Sequence, residues 1–271
     1  MSVLLEKNKY AKWDKFLVEL QEKGRYAFTF DDLRNYFDLS EESLLQGLFR
    51  YKQKKQVAQI RKGFYDIITP EYSKQGMLPY HLFIDDLMKS LNKPYYVALL
   101  SASALHGAAH QQPMEFFVIA QTPAPRSINS KKLKISFLSK NSWEADDIIQ
   151  KTTDAGYINV SSPELTALDL LAYAEKNGLN RVTTVLHELA QNIKITQLSR
   201  TLRKYPNTPV IQRLGYIMDK VLDEKKITEV ITKSLKDRNV SPVLLSTQKP
   251  KMGEADETWK VIINMEIESD L

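Results

Sequence analysis

Residues 31–70 read DDLRNYFDLSEESLLQGLFRYKQKKQVAQIRKGFYDIITP, and this stretch decides the fold predicted for the N-terminal part of the chain. Thr29 and Ser40 each stand just before acidic residues, as N-cap residues do, so two short helices with a tight break between them are predicted. Two strand-like runs, VAQIR and FYDIIT, flank Lys62-Gly63 and predict a hairpin. Helix, short helix, basic helix and basic hairpin, in that order, predict a winged helix-turn-helix.

The first helix of that order is expected over residues 2–23, where apolar residues fall largely on one face and lysines and glutamates on the other. The apolar residues of this face are Leu5, Trp13, Phe16, Leu17 and Leu20.

The helix that follows Ser40 is predicted to be the one that reads DNA. Its buried stripe is expected to contain Leu44, Leu45, Leu48 and Phe49. The opposite face then carries polar, small and basic residues, namely Ser43, Gly47, Arg50 and Lys54, with Gln46 beside them. Side chains that hydrogen-bond to base edges, and small residues where the backbone approaches the duplex, are what a recognition helix needs.

Six basic residues and no carboxylate lie between Arg50 and Lys62, which predicts a local field that binds phosphate. The predicted DNA-binding residues are Ser43, Gln46, Arg50, Lys54, Lys55, Arg61 and Lys62. Two other interpretations stay open: a solvated basic face of a helical scaffold, and a winged helix that docks a protein instead of DNA.

The whole-chain composition predicts a globular protein of two domains. With 271 residues and 43% hydrophobic content, the chain can bury a sizeable core, and we place the domains at residues 1–76 and 77–271. A net charge of +5 favours a polyanionic partner only mildly. The absence of cysteine excludes disulfides, thiolate catalysis and cysteine-ligated zinc. No apolar run has the length of a signal peptide or a membrane span, so a soluble, cytoplasmic protein without a membrane partner is expected.

Both helices and strands are predicted after residue 77. The helices expected first cover HLFIDDLMKSLN and YYVALLSASALHGAA; the strands cover EFFVIAQ, KLKISFLS and a hairpin of IIQKTT with YINVS. Ser162 stands at the N-cap of a clearly bounded helix, SSPELTALDLLAYAEKNG, which three further helices and a late strand in TWKVIINMEI follow. The predicted fold class is therefore mixed α+β: an N-terminal winged helix-turn-helix followed by a larger, helix-rich α/β domain.

The order of YYVALLSASALHG, EFFVIAQ, YINVSSPELTALDLLAY, VIQRLGYIMD and WKVIINMEIESDL behind a winged helix resembles the AbiEi family of transcriptional regulators. These proteins are the antitoxins of type IV toxin-antitoxin systems in phage defence. Residues 162–171 carry the most specific part of the resemblance. It implies a bacterial repressor that binds double-stranded DNA at inverted repeats in its own promoter. It also implies an antitoxin that counteracts a nucleotidyltransferase-like AbiEii toxin without a stable complex.

A second basic cluster, Arg200, Arg203, Lys204 and Arg213, is predicted to supply additional DNA contacts if the protein bends around its operator. A solvated helix face explains these residues equally well.

Candidate catalytic and metal-ligating residues are few, so we predict no enzymatic activity, no metal and no cofactor. His106 and His110 have the four-residue spacing of zinc ligands but lack a general-base glutamate between them. Glu164 and Asp169 could form a carboxylate pair, but Glu164 lies in the first turn of a helix, where the helix dipole already explains it, so a structural role is predicted. The alternatives that remain are a nuclease using Asp85-Asp86, Asp146-Asp147 and Glu115, and an interaction module whose basic face meets an acidic protein.

Overall fold

The computed structural model describes residues 2–108 and 114–268, with side chains from residue 11 onward. The fold is mixed, with 46% helix and 19% strand, in agreement with the predicted α+β class. Among the described residues, no helix is both long and apolar enough to cross a membrane.

The N-terminal elements occur in the predicted order. They are α1 (Ser2–Glu22), β1 (Ala27–Thr29), α2 (Phe30–Tyr36), α3 (Glu41–Gln53), β2 (Val57–Arg61) and β3 (Phe64–Ile67). Strand β3 is the centre of a three-stranded antiparallel sheet with the order β1-β3-β2. Asp66 of β3 lies opposite Ala27 on one side and Ala58 on the other.

The two predicted N-caps set where α2 and α3 begin. The Thr29 hydroxyl accepts a hydrogen bond from the Asp32 backbone, and the Asp32 carboxylate accepts one from the Thr29 backbone, which forms a capping box. Ser40 accepts a hydrogen bond from the Ser43 backbone at 3.3 Å. Both caps are therefore confirmed.

The rest of the chain alternates strands and helices. The helices are α4 (Ile84–Ser90), α5 (Leu99–Leu105), α6 (Pro163–Ala172), α7 (Ala174–Asn177), α8 (Leu179–Ala190), α9 (Ile195–Lys204), α10 (Thr208–Tyr216) and α11 (Lys225–Leu235). The strands are β4 (Tyr95–Val97), β5 (Phe116–Gln121), β6 (Ile128–Asn129), β7 (Lys134–Lys140), β8 (Ile148–Thr153), β9 (Gly156–Ser161), β10 (Val243–Leu244) and β11 (Val261–Ile262). The six strands β4 to β9 form one sheet with the order β6-β7-β5-β4-β9-β8, and β10 pairs with β11.

Two predicted elements differ from the structure, and one helix was not predicted. Tyr95–Val97 is a buried strand rather than the start of a helix, since it pairs in parallel with β9 at Val97 and Val160. The helix predicted to run to Asn177 is interrupted at Tyr173. Helix α11 was not predicted, although its buried residues Ile227, Ile231 and Leu235 recur at every fourth position.

The contacts between Cα atoms divide the chain into two compact units. Unit 1 comprises Met1–Tyr95, Ala120–Ser139 and Gln150–Asn159, and unit 2 comprises Tyr96–Ile119, Lys140–Ile149 and Val160–Leu271. The β6–β7 hairpin therefore belongs to the unit that contains α1 to α3. The domain boundary predicted after residue 76 falls inside the first segment of unit 1 and stays a prediction.

Trp13 is at the centre of the aromatic core of unit 1. Its ring stacks against Phe37 at 4.9 Å and against Tyr51 at 5.3 Å between ring centroids. Gly47 of α3 faces this ring, and a Cβ atom added at Gly47 would lie 2.3 Å from Trp13 Cζ2. The predicted burial of Trp13, Phe16, Leu17 and Leu20 is confirmed, and the side chain of Leu5 lies outside the described ones.

We expect Gly47→Ala to lower the free energy of unfolding by about 1 to 3 kcal/mol, because the new methyl group overlaps a ring held between two others. The loss should outweigh the roughly 1 kcal/mol by which alanine is favoured over glycine in a helix. Urea unfolding measures the difference, with the exposed Gln53→Ala as the control that stays near wild type. A Gly47→Ala protein more stable than wild type would show that the ring does not occupy this space.

Asp66 is a fully buried carboxylate that ties the hairpin to the segment after it. Its two oxygens accept hydrogen bonds from the backbone of Ala58 at 3.1 Å and of Leu78 at 3.2 Å. Burial raises the pKa of Asp66 from 3.8 to about 6, although these hydrogen bonds oppose the shift.

This pKa predicts the pH dependence of stability. Between pH 3.8 and about 6 the folded state keeps a proton that the unfolded state has lost, so stability falls as pH rises through this range. The loss is on the order of 3 kcal/mol and complete above the folded pKa. Urea unfolding of wild type and Asp66→Asn at several pH values should show this effect: as pH rises through this range, the free energy of unfolding of wild type should fall by this amount relative to that of the variant. Parallel pH profiles for the two proteins would contradict the assignment.

Candidate nucleic-acid interface

The contact with Trp13 sets which face of α3 is exposed. Because Gly47 points into the core, the buried residues of the helix are Leu44, Leu48 and Tyr51. The prediction that Leu45 and Phe49 are buried is wrong, since these side chains are 49% and 61% exposed. The outward face of α3 therefore consists of Glu42, Leu45, Gln46, Phe49, Arg50 and Gln53.

The helix residues predicted to bind DNA are distributed over this face and its border. Gln46 and Arg50 are exposed on the outward face. Ser43 is half-buried, and its hydroxyl is 3.1 Å from that of Ser40 within the helix cap. Lys54 is exposed at the end of the helix, with its ammonium 5.2 Å from the centre of the Tyr51 ring. Gly47, predicted to lie on the DNA-facing side, is turned away from it.

The basic residues of the hairpin lie close to the end of α3. Lys55 and Lys62 are exposed, while Arg61 is half-buried and its Nη1 atom has no hydrogen-bond partner among the described residues. Gly63 at the turn has a φ of +77°, a conformation that glycine adopts without strain. The exposed cations at the hairpin are therefore Lys55, just before β2, and Lys62, at the turn, and both belong to the predicted basic run.

The second predicted basic cluster is only partly brought together. Arg200, Arg203 and Lys204 line a groove of about 940 Å³ between α9 and α11, where Lys233 also lies. Lys204 is engaged by Glu144 at 2.7 Å. Arg213 does not join them, because its Nε donates to the Leu244 carbonyl at 2.8 Å and its side chain is half-buried. Arg213 therefore does not line this groove, and its DNA contact stays a prediction.

The groups considered for catalysis have structural partners. Glu164 is buried and accepts a hydrogen bond from the Lys194 backbone at 2.7 Å. His106 Nε2 is 2.7 Å from the Ser161 carbonyl, whereas His110 lies outside the described residues. Within the described ranges, no group of three or more histidine or carboxylate residues could hold a metal ion.

Residues 96–220 match the family model of the AbiEi antitoxin C-terminal domain. The match covers 125 of the 271 residues, and we call this part of the chain, which is similar to the antitoxin domain of that family, the AbiEi domain. The resemblance predicted from the sequence is thereby confirmed, and it supports an antitoxin of the type IV kind.

A solved structure is similar to the chain in fold. The crystal structure of the RV2827C protein from Mycobacterium tuberculosis superposes with a TM-score of 0.64 and 16% sequence identity, covering 93% of this chain and 91% of that one. At this identity the likeness concerns the fold alone. No curated protein matches the chain.

The AbiEi domain has a buried polar cluster in its core. Asp169 of α6 is fully buried and accepts hydrogen bonds from the Tyr96 hydroxyl at 2.8 Å and from the Lys140 ammonium at 2.9 Å. Burial raises the pKa of Asp169, and the Lys140 charge opposes this shift. The Lys140 ammonium also lies 5.3 Å from the centre of the Tyr205 ring. Asp169 thus links β4, β7 and α6, which is a structural role.

Sequence reasoning missed several residues of these surfaces. Leu45 and Phe49 were assigned to the core because both are apolar at helical spacing, and only the position of Trp13 shows otherwise. Lys233 was missed together with the whole of α11. Its Ile227, Ile231 and Leu235 spacing was the signal that could have found it.

Proposed function

We propose that this protein binds double-stranded DNA at its own promoter and represses its toxin-antitoxin operon. Helices α1 to α3 with strands β1 to β3 would form a winged helix-turn-helix, in which α3 is the recognition helix and the β2–β3 hairpin is the wing. The observation that carries this proposal is the outward face of α3, where Gln46, Phe49 and Arg50 are exposed beside a run of cations.

The side chains of this face suit the major groove. A glutamine can pair with an adenine edge, and an arginine with the O6 and N7 atoms of guanine. Apolar side chains contact the methyl group of thymine, which gives Phe49 and Leu45 a use at a site that is otherwise polar. Glu42, on the same face, can accept a hydrogen bond from the amino group of cytosine.

Lys54, Lys55, Arg61 and Lys62 would bind the phosphate backbone beside the groove. Such contacts position the protein and add affinity, but they carry no sequence information. Half-sites arranged as inverted repeats would be read by two copies of the chain. Arg200, Arg203 and Lys204 would add phosphate contacts from the AbiEi domain if the DNA bends towards them.

The antitoxin activity is proposed to reside in the AbiEi domain, acting against a nucleotidyltransferase-like AbiEii toxin without a stable complex. The match of residues 96–220 to the AbiEi family model supports this part. We further propose that the chain has no catalytic activity of its own, since the candidate groups Glu164, Asp169 and His106 are engaged in structural hydrogen bonds. The nuclease alternative lacks support, because within the described ranges its carboxylates Asp85-Asp86, Asp146-Asp147 and Glu115 form no group that could hold a metal ion.

A second candidate function is supported by the same face. Leu45 and Phe49 are large apolar side chains exposed next to each other on α3, as in surfaces that dock another protein. In that case the helix would bind a partner protein, and DNA binding would be absent or independent of this face.

We expect Gln46→Ala and Arg50→Ala each to weaken binding to the promoter fragment by about 1 to 3 kcal/mol, because each removes a base contact. Arg61→Ala and Lys62→Ala should instead weaken binding to all sequences and reduce its salt dependence. Gel retardation without divalent metal measures both effects. Gln191→Ala and Lys23→Ala, at exposed positions outside this face, are the matched controls.

Three outcomes would contradict the proposal. Promoter binding that is unchanged in Gln46→Ala and Arg50→Ala would remove the assigned reading face. Absence of DNA binding by the wild-type chain, with Phe49→Ala losing a protein partner, would favour the docking function. Cleavage of the DNA on addition of magnesium or manganese would favour a nuclease.

We expect repression and antitoxicity to separate in the full chain. The double variant Gln46→Ala/Arg50→Ala should fail to repress a promoter reporter but should still rescue growth when the chain and toxin are expressed from an unrelated promoter. The reason is that neither residue belongs to the AbiEi domain, so the antagonist surface is unchanged. Loss of both activities in a variant that melts like wild type would show that antitoxicity depends on α3.

A further inference from the structure

A basic groove of about 630 Å³ lies in unit 1 at the end of α3, beside the β2–β3 hairpin. Six cations line it: Lys52, Lys55, Arg61, Lys62, Lys74 and Lys132. Lys52 lies in α3, Lys55 follows the end of this helix, and Lys62 lies at the tip of the hairpin. Arg61 ends β2, and Lys74 follows the hairpin. Lys132 comes from the turn of the β6–β7 hairpin, more than fifty residues later in the chain. None of the residues that line the groove is an aspartate or a glutamate.

The hydrogen bonds of these side chains orient the cations without neutralising them. The Lys52 ammonium donates to the Gln59 side-chain oxygen at 3.0 Å, and the Lys132 ammonium donates to the Gln75 carbonyl at 2.9 Å. Gly76, which has a φ of +65°, lies beside this lysine: a Cβ atom at Gly76 would stand 2.6 Å from Lys132 Nζ. Arg61 Nη1 is buried beside the groove and lacks a partner in the described part of the chain.

Several cations elsewhere in unit 1 are paired with carboxylates. Arg25 lies within 3.3 Å of Asp32, Arg34 within 2.8 Å of Glu41, and Lys89 pairs with Asp85. In the described residues, none of the six groove cations forms such an ion pair. Six like charges around one groove repel each other, and a bound polyanion would relieve that repulsion.

We propose that the basic groove binds a run of DNA backbone phosphates, and that Lys74 and Lys132 extend the DNA contact beyond the helix and the hairpin. This inference rests on the proposed DNA binding. A single phosphate is satisfied by two or three donors, whereas six cations along a groove fit several successive phosphates. Three of the six groove cations, Lys55, Arg61 and Lys62, also border the proposed reading face. The DNA-binding surface therefore includes residues after 76.

The test compares salt dependence in the full chain. For Lys74→Ala/Lys132→Ala, the slope of log K against log salt for the promoter fragment should fall by about 2, since each phosphate contact contributes roughly 0.9. Binding should weaken by roughly tenfold at physiological salt, and equally for promoter and unrelated DNA. The matched control is Lys131→Ala/Lys134→Ala, which removes two exposed lysines of the same hairpin that do not line the groove. Its slope should equal that of wild type.

Additional measurements separate the outcomes. Since Lys132 also bonds to Gln75, the single variant Lys74→Ala guards against a folding effect and should lower the slope by about 1. Wild-type binding to the promoter, with the groove variants equal to the control, would overturn the inference and leave the proposed function standing. No binding by wild type would remove both. Saturable stabilisation by inorganic phosphate that disappears in Lys74→Ala/Lys132→Ala, without a change in DNA binding, would assign the groove to a small phosphate ligand and overturn the DNA contact.

Discussion

The contact between the Trp13 ring and Gly47 is the constraint on which the proposed DNA-reading surface depends. Trp13 is held between the rings of Phe37 and Tyr51, so the ring cannot withdraw from α3, and only a residue without a side chain fits against it. The rotation of α3 follows from this contact. With Gly47 inward, Phe49 and Gln46 must point outward. A glycine that looked like a place for close DNA approach is instead a place for close approach of a tryptophan.

The charges of unit 1 are arranged around that orientation. The outward face of α3 is bordered by the cations of the β2–β3 hairpin, and the basic groove continues them to Lys74 and Lys132. Buried Asp66 holds the hairpin to the segment that carries Lys74, through its hydrogen bonds to Ala58 and Leu78. Asp66 therefore affects the surface as well as the fold, because loss of its two hydrogen bonds would displace one side of the basic groove. In the AbiEi domain, Asp169 with Tyr96 and Lys140 forms a comparable internal link.

The features that could be predicted from the sequence are local ones. The caps at Thr29 and Ser40 were identified because a hydroxyl followed by carboxylates determines a helix start within four residues. The exposed face of α3 could not be predicted in the same way, since Leu45 and Phe49 fit a buried stripe by spacing, and the choice is made by Trp13, more than thirty residues earlier. Lys132 was not identified because its place in the basic groove depends on a hairpin that joins unit 1 from a distant part of the chain. The strand at Tyr95–Val97 could not be predicted for the same reason, because it forms by pairing with β9, which is distant in sequence.

The central claim is that the outward face of α3 lies against DNA while the AbiEi domain performs the antitoxin role. Site-specific photocrosslinking tests it most directly, with p-benzoylphenylalanine in place of Phe49 in the full chain bound to its promoter fragment. The account predicts a covalent adduct with the DNA from position 49, and none when the same group replaces the exposed Tyr157. A variant at position 49 that still retards the fragment but forms no adduct with the DNA would contradict the account.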